Sequence, residues 1–421
     1  MSNTKPVISE RAIYLPALQK NYVTYKVPSG GKYDDAVHNL FDLSKGFYYP
    51  YVLYSPGHAL GSKDLGIIDT RLEGSLVVGD SGGYQLASGM WKLNTAEEKR
   101  VKVLKWQEAH CDVGIILDLP TIAIKEQGVS YQQCFDFTYD SAAYFEKHQS
   151  GACRFLNVVQ GRDVNEAVDW YNKIKHFNLQ GWAFAGNQSG DMYAVLKLLI
   201  LMRDEGKLDK TEWIHILGIS RLTAVRPFTA LQYALREQGF DIQVTFDSAS
   251  PSHTAKYLDI TMPTTNDITT PTLDVGAFPK YNTLAEYIAS RTNVDIETYV
   301  GKNIGPKEVL VKFTKTDTKT YHALTNHNME QTILNIEKVI PQPERYDGED
   351  WIDDYVDWDV GAVEDTMLSI FKTEKPFELL DIRKQVLKYA LKRSGKAHWH
   401  RPDKKLRRNG WHNEKLWRGH V

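Results

Sequence analysis

The stretch FLNVVQGRDVNEAVDWYNKIKHFNLQGWAFAG, residues 155–186, decides the fold. A β-branched run, Phe155–Val159, closes on the polar Gln160. A helix is expected over Asn165–Phe177, and a second apolar run, Trp182–Ala185, closes on Gly186. Strand, helix and strand in that order suit a parallel βα unit, whose crossover needs the length of a helix. The same arrangement recurs on both sides, with runs at YVLY (51–54), SLVVG (75–79), VGIIL (113–117), WIHIL (213–217) and IQVTF (242–246). A further helix is expected over Asp191–Arg203, with Val195, Leu196, Leu199 and Ile200 on its apolar face. Seven buried-looking strands at intervals of roughly 25–40 residues favour a (β/α)8 TIM barrel over a doubly wound open sheet. An eighth strand is not apparent. The barrel is expected over residues 1–342 and a C-terminal extension over 343–421.

Polar residues close these runs: Asp80 after VVG, Asp118 after IIL, Gln160 after NVV, Gly218 after HIL and Asp247 after VTF. In a barrel they share the carboxyl rim of the strands, where barrel enzymes keep their chemistry. Any one such Asp is ordinarily a helix cap or turn residue. Several at the same relative position suggest a site. Ser81, Gly82 and Gly83 let the backbone turn and approach a ligand, since glycine has no side chain and tolerates positive φ; Tyr84 follows, poised to lay a ring on a planar ligand. Asp118 with Gln160-Gly161 offers acceptors and donors that match the edge of a guanine-like heterocycle, unless Asp118 caps a helix and Gln160 serves a neighbouring loop. Asp80 and Asp247 are the carboxylate pair that retaining glycosyl transfer requires, one attacking the anomeric carbon and one moving protons.

The 421 residues are 42% apolar, 25% charged and 11% aromatic, which excludes a disordered chain. The longest apolar run, Ala194–Met202, is broken by Lys197 and is far too short to span a membrane. MSNTKPVISERAIY has no apolar core behind a basic stub, so no secretory signal is expected. Three cysteines, Cys111, Cys134 and Cys153, suit a reducing cytoplasm. The net charge of −2 conceals an asymmetry. From Arg383 to Val421 there are 13 Lys and Arg against 2 Asp and Glu, a surplus of +11 that leaves the rest of the chain near −13. Glu344–Asp365 holds ten acids and one base. Blocks of one sign are ordinarily solvated surface. The basic block also interleaves aromatics: Arg401, Lys404, Lys405, Arg407, Arg408 and Arg418 with Trp399, Trp411 and Trp417, a composition suited to phosphates and bases. Its histidines, His398, His400, His412 and His420, come without cysteines and are read as surface groups, not as a metal site.

DSGGYQ (80–85), LDLPT (117–121), VVQG (158–161), GWAFAG (181–186), HILGI (215–219) and FDSASP (246–251) resemble, in order, the signature blocks of the tRNA-guanine transglycosylase superfamily. LTNHNMEQTILNIEKVI (324–340), with His327-Asn328, is similar to that family's closing barrel helix. The resemblance implies a TIM barrel that exchanges a guanine in a polynucleotide for a 7-deazaguanine. It implies Asp247 as the nucleophile on C1′ and Asp80 as general acid and base. Asp118, Gln160 and Gly186 would recognise the guanine edge, and Tyr84 and Leu217 would sandwich its faces. No metal or redox cofactor is implied in the chemistry.

The departures bear on the polymer. The family's zinc site uses three closely spaced cysteines and a histidine after the nucleophile, and here no cysteine follows Cys153. The zinc subdomain is therefore absent, and residues 264–320 must pack differently. Ala185-Gly186-Asn187 replaces the Gly-Gly-Leu common in the family, and His253 stands where a basic residue is expected. The zinc subdomain helps the tRNA enzymes grip tRNA, so its loss points to the superfamily's DNA 7-deazaguanine branch, known from phages and bacterial modification systems. The expected partners are DNA, or tRNA as the alternative, and a free 7-deazaguanine base; no membrane is expected. A non-catalytic paralogue is the other alternative.

Overall fold

The computed structural model describes residues 9–26, 38–186, 190–219, 221–263, 271–292, 294–309, 311–312, 315–316, 318–340 and 358–391. Eight parallel strands close into a barrel in chain order: β1 (Ile13–Leu18), β2 (Tyr51–Tyr54), β3 (Leu76–Gly79), β4 (Val113–Ile115), β5 (Arg154–Val159), β6 (Gly181–Phe184), β7 (Trp213–Ile216) and β8 (Gln243–Ser248). Seven are the expected runs. The eighth is IYLPAL at the start of the chain, obscured by Pro16, a residue that cannot donate to a ladder and usually argues against an interior strand. β1 is the closing stave: Ala17 lies opposite Leu53 of β2, and Leu15 opposite Asp247 of β8.

The helices that position the site are α1 (Gly83–Ala87), α2 (Ala96–His110), α3 (Tyr131–His148), α4 (Val164–Ile174), α5 (Met192–Asp204), α6 (Leu222–Glu237) and α7 (Ser250–Lys256). The helix expected over Asn165–Phe177 is α4, which stops three residues sooner. Asp163 caps it, accepting from the N–H groups of Asn165 (2.8 Å) and Glu166 (3.0 Å). Asp191, expected as the first helical residue of the next, is instead the cap of α5, accepting from Ala194 N–H at 3.2 Å. The second difference arises because an Asp at a cap belongs to the turn. The apolar core lies between strands and helices. Phe246 of β8 packs on Phe228 of α6 with ring centroids 5.3 Å apart, so the alternation of the strand turns Thr245 and Asp247 toward the barrel axis.

A long helix, α8 (Thr318–Val339), straps the end of the barrel. Asn328 accepts from Thr261 N–H (2.8 Å) and donates to Asp259 O (3.0 Å) and Thr254 Oγ1 (2.9 Å). His327 bridges Thr261 O (3.1 Å) and Thr298 Oγ1 (2.9 Å), and Glu330 accepts from the N–H groups of Tyr299 (2.7 Å) and Val300 (2.8 Å). Three neighbouring side chains thus fasten the segments after β8. Burial lowers His327 to about 4, so it is neutral at physiological pH.

The extension contributes α9 (Trp358–Ser369) and α10 (Pro376–Tyr389), packed on α6 and α5. The acidic block, read as solvated, ends differently: Glu364 is wholly buried and paired with Arg226 at 3.1 Å, and Asp365 faces Arg383 at 3.3 Å. Residues 344–357 and the basic segment with Arg401, Lys404, Lys405, Arg407, Arg408, Trp411 and Arg418 lie outside the described residues. No helix among the described residues is long and apolar enough to cross a membrane.

Candidate active site

The carboxyl ends of β3, β4, β5, β7 and β8 bring the expected polar residues to one rim. Asp80 follows β3, and its backbone N–H donates to Tyr54 O at 3.0 Å. Its carboxyl is raised above the usual carboxylate range, first by burial and then by the charge of Asp247. A hydrogen bond from Ser55 and the nearness of His215 oppose the shift. Asp80 therefore feels the charge of Asp247 although the two lie on strands that do not pair. Asp247 is buried. Its Oδ1 accepts from Gly218 N–H at 2.7 Å and lies 3.3 Å from His215 Nε2; Oδ2 has no hydrogen bond among the described residues. Gly218 has φ +71, the left-handed conformation that turns its N–H toward the carboxylate.

The turn after β3 shows why two glycines stand there. Gly82 has φ +78, and a Cβ would meet the Trp91 ring at 2.9 Å. A Cβ on Gly83 would lie 2.2 Å from Asp118 Oδ1. The chain passes against that carboxyl, and Ser81 Oγ accepts from Gly83 N–H at 3.0 Å. Asp118 is nearly inaccessible. Burial raises its pKa to about 7; a hydrogen bond from Ser81 opposes this and the charge of Asp80 adds to it.

Gln160 donates to Asp118 Oδ2 at 2.7 Å and accepts from Thr121 N–H at 2.9 Å. With both ends of its amide engaged and no exposed surface, it orients Asp118 here. Gly161 is buried beside it, packed so tightly that a Cβ would meet the backbone of Ala167. Gly186, φ +68, lies on the same rim, where a Cβ would approach Thr121 Oγ1 at 3.6 Å. Leu217 is half-buried at the end of β7, and Tyr84 on α1 is 63% exposed, free to meet a ligand from solvent. His253, on α7, is exposed.

Two contributors were not singled out from sequence. Gln107 of α2 is wholly buried and donates to Gly79 O (3.2 Å), Asp80 O (3.1 Å) and Ile115 O (2.9 Å), tying together the ends of β3 and β4. Nothing local marks it, because its partners lie on other elements. His215 is the polar break in WIHIL, a signal that was visible. The three cysteines are buried and unpaired, and no group of three or more His, Cys, Asp or Glu among the described residues could hold a metal ion.

Together these features define a closed parallel (β/α)8 barrel with two carboxylates, Asp80 and Asp247, on its carboxyl rim, the end at which barrel enzymes keep their active sites. Neither the protein-family models nor the curated proteins give a match to this chain.

Proposed function

We propose that this protein is a base-exchange transglycosylase that replaces guanine in DNA by a 7-deazaguanine, such as 7-cyano-7-deazaguanine. The observation that carries the reading is the pair Asp80 and Asp247. They stand at one rim in different surroundings: Asp247 is anchored through one oxygen with the other open, and Asp80, buried and near the charge of Asp247, is raised toward the range in which a carboxyl can cycle its proton. Asp247 attacks C1′ of the target nucleoside, forming a glycosyl ester as the bond from C1′ to N9 breaks. Asp80 supplies the proton that the departing guanine takes up. The resulting carboxylate then removes the N9 proton of the incoming 7-deazaguanine, which attacks C1′ and releases Asp247. Asp118, held by Gln160, faces the turn at Gly83 as a reader of the heterocycle edge, with Tyr84 and Leu217 for its faces.

DNA as the polymer is supported by the absence of cysteines for a zinc subdomain and by the path of the chain. Leu391 O accepts from Arg221 Nη1 at 3.1 Å, at the start of α6. Arg221 follows the β7 loop that holds Asp247, so Leu391, the last described residue before the basic sequence, lies on the same side of the barrel as the carboxylates. Extruding a guanosine from duplex DNA costs a few kcal/mol of unstacking, which such backbone contacts offset. The test is incubation with labelled guanine or 7-deazaguanine and either duplex DNA or tRNA, followed by digestion to nucleosides. Label in DNA is expected. Label in tRNA alone selects a tRNA enzyme without zinc, and label in neither selects a non-catalytic paralogue.

A further inference from the structure

His215 is the polar side chain in the middle of β7, wholly buried and aimed at the barrel axis with Thr245 and Asp247. Its Nδ1 lies 2.8 Å from Thr245 Oγ1. Its Nε2 is 3.3 Å from Asp247 Oδ1, within ion-pair distance but too poorly aligned for a full hydrogen bond, and it has no other partner among the described residues. Catalytic hydrogen bonds are often loose before the substrate arrives. The hydrogen bonds around Thr245 decide which way the imidazole proton points. Trp213 Nε1–H donates to Thr245 Oγ1 at 2.9 Å, which occupies one lone pair of the hydroxyl. The single hydroxyl proton then has two possible acceptors, His215 Nδ1 at 2.8 Å and Ile214 O at 3.4 Å. The nearer is the better acceptor. With Thr245 donating to Nδ1, the imidazole carries its proton on Nε2, facing Asp247. The other tautomer would set a bare lone pair against a carboxylate oxygen in a buried space.

From this chain of contacts we propose that His215 is a positioning residue for Asp247. Trp213, Thr245 and His215 form a relay that ends on Oδ1. Together with Gly218 N–H it holds that oxygen from two sides and leaves Oδ2 as the attacking atom. The inference rests on the reading of Asp247 as nucleophile.

Two measurements test it. Nitrogen-15 NMR of histidine-labelled protein, with the His215 signals assigned by their loss in His215→Gln, is expected to show the Nε2–H tautomer; an Nδ1–H pattern overturns the relay whatever the enzyme's activity. Base exchange is then compared in His215→Gln, His215→Asn and His215→Ala, each first shown by circular dichroism to be folded. Gln places an amide N–H near the position of Nε2. Asn reproduces the reach of Nδ1 to Thr245 but falls short of Asp247. A misplaced nucleophile costs on the order of 100-fold. That loss is expected in kcat for Asn and Ala, with Gln recovering most of it and the affinity for free guanine unchanged in all three. Equal rates in Asn and Gln overturn the positioning role. If the wild-type protein exchanges no base into DNA or tRNA, the transglycosylase reading fails, and the tautomer measurement still decides the relay.

Discussion

Asp118→Asn converts a buried ionisable group into its neutral counterpart, and the structure sets the size of the effect. Burial raises Asp118 from 3.8 to about 7. Between those values the folded protein holds a proton that the unfolded chain releases, so stability falls as pH rises through the window and is flat above it. Three units at about 1.4 kcal/mol each give a total loss of about 4 kcal/mol. Roughly two of those units lie between pH 5 and pH 7. Asp118→Asn should therefore gain about 3 kcal/mol on wild type when both are moved from pH 5 to pH 8. The amide can still accept from Gln160 through its oxygen, so the packing of the site is kept. Urea unfolding followed by tryptophan fluorescence, at both pH values on both proteins, isolates this difference. Asp80 is also raised, but it is common to both proteins, as are His322 and His327, so their effects largely cancel. A stability gap that is the same at pH 5 and pH 8 would refute the assignment of a desolvated carboxyl at this position.

Asp247→Asn should abolish a denaturation-resistant adduct with polynucleotide on gels, while Asp80→Asn should slow turnover by about 10²–10⁴ and still bind free base; an adduct formed by Asp247→Asn places the nucleophile elsewhere. Gly83→Ala drives a methyl into Asp118 Oδ1 and should cost about 1–3 kcal/mol in unfolding experiments, with weakened guanine binding by calorimetry. Asn328→Ala leaves Thr261 N–H and Asp259 O without their partner and should lower stability by about 2–4 kcal/mol, read from denaturant midpoints; a change under about 0.5 kcal/mol would mean that the clamp does not hold the loop. Deleting residues 394–421 should weaken DNA binding and flatten its salt dependence while leaving free-base affinity intact, and an unchanged salt slope would remove the tail from the interface.

The strands were legible because each is a short apolar run closed by a polar residue, and the rim positions of Asp80, Asp118, Gln160 and Asp247 follow from that pattern alone. β1 was not legible because Pro16 interrupts it, and only the closed barrel shows how β2 and β8 seat that strand. Nor could the pattern reveal that Gln160 is committed to Asp118 and Thr121, or that Glu364, inside an acidic block, is buried against Arg226. Each depends on a partner tens to hundreds of residues away. His215 lies between these cases: its placement in an apolar strand was visible, but its partners were not.

The seam between β1 and β8 has a further consequence for how the molecule comes into being. It joins Leu15 to Asp247, and Tyr14 Oη reaches Ser248 O at 3.5 Å across a separation of 234 residues. Contacts so distant along the chain bear the largest loop-closure entropy and form late. On the ribosome, β1 emerges first and must wait for most of the barrel to be synthesised before its second neighbour exists. The strand that carries Asp247 is that neighbour, so Asp80 and Asp247 cannot come together in the finished rim until the last stave closes the ring.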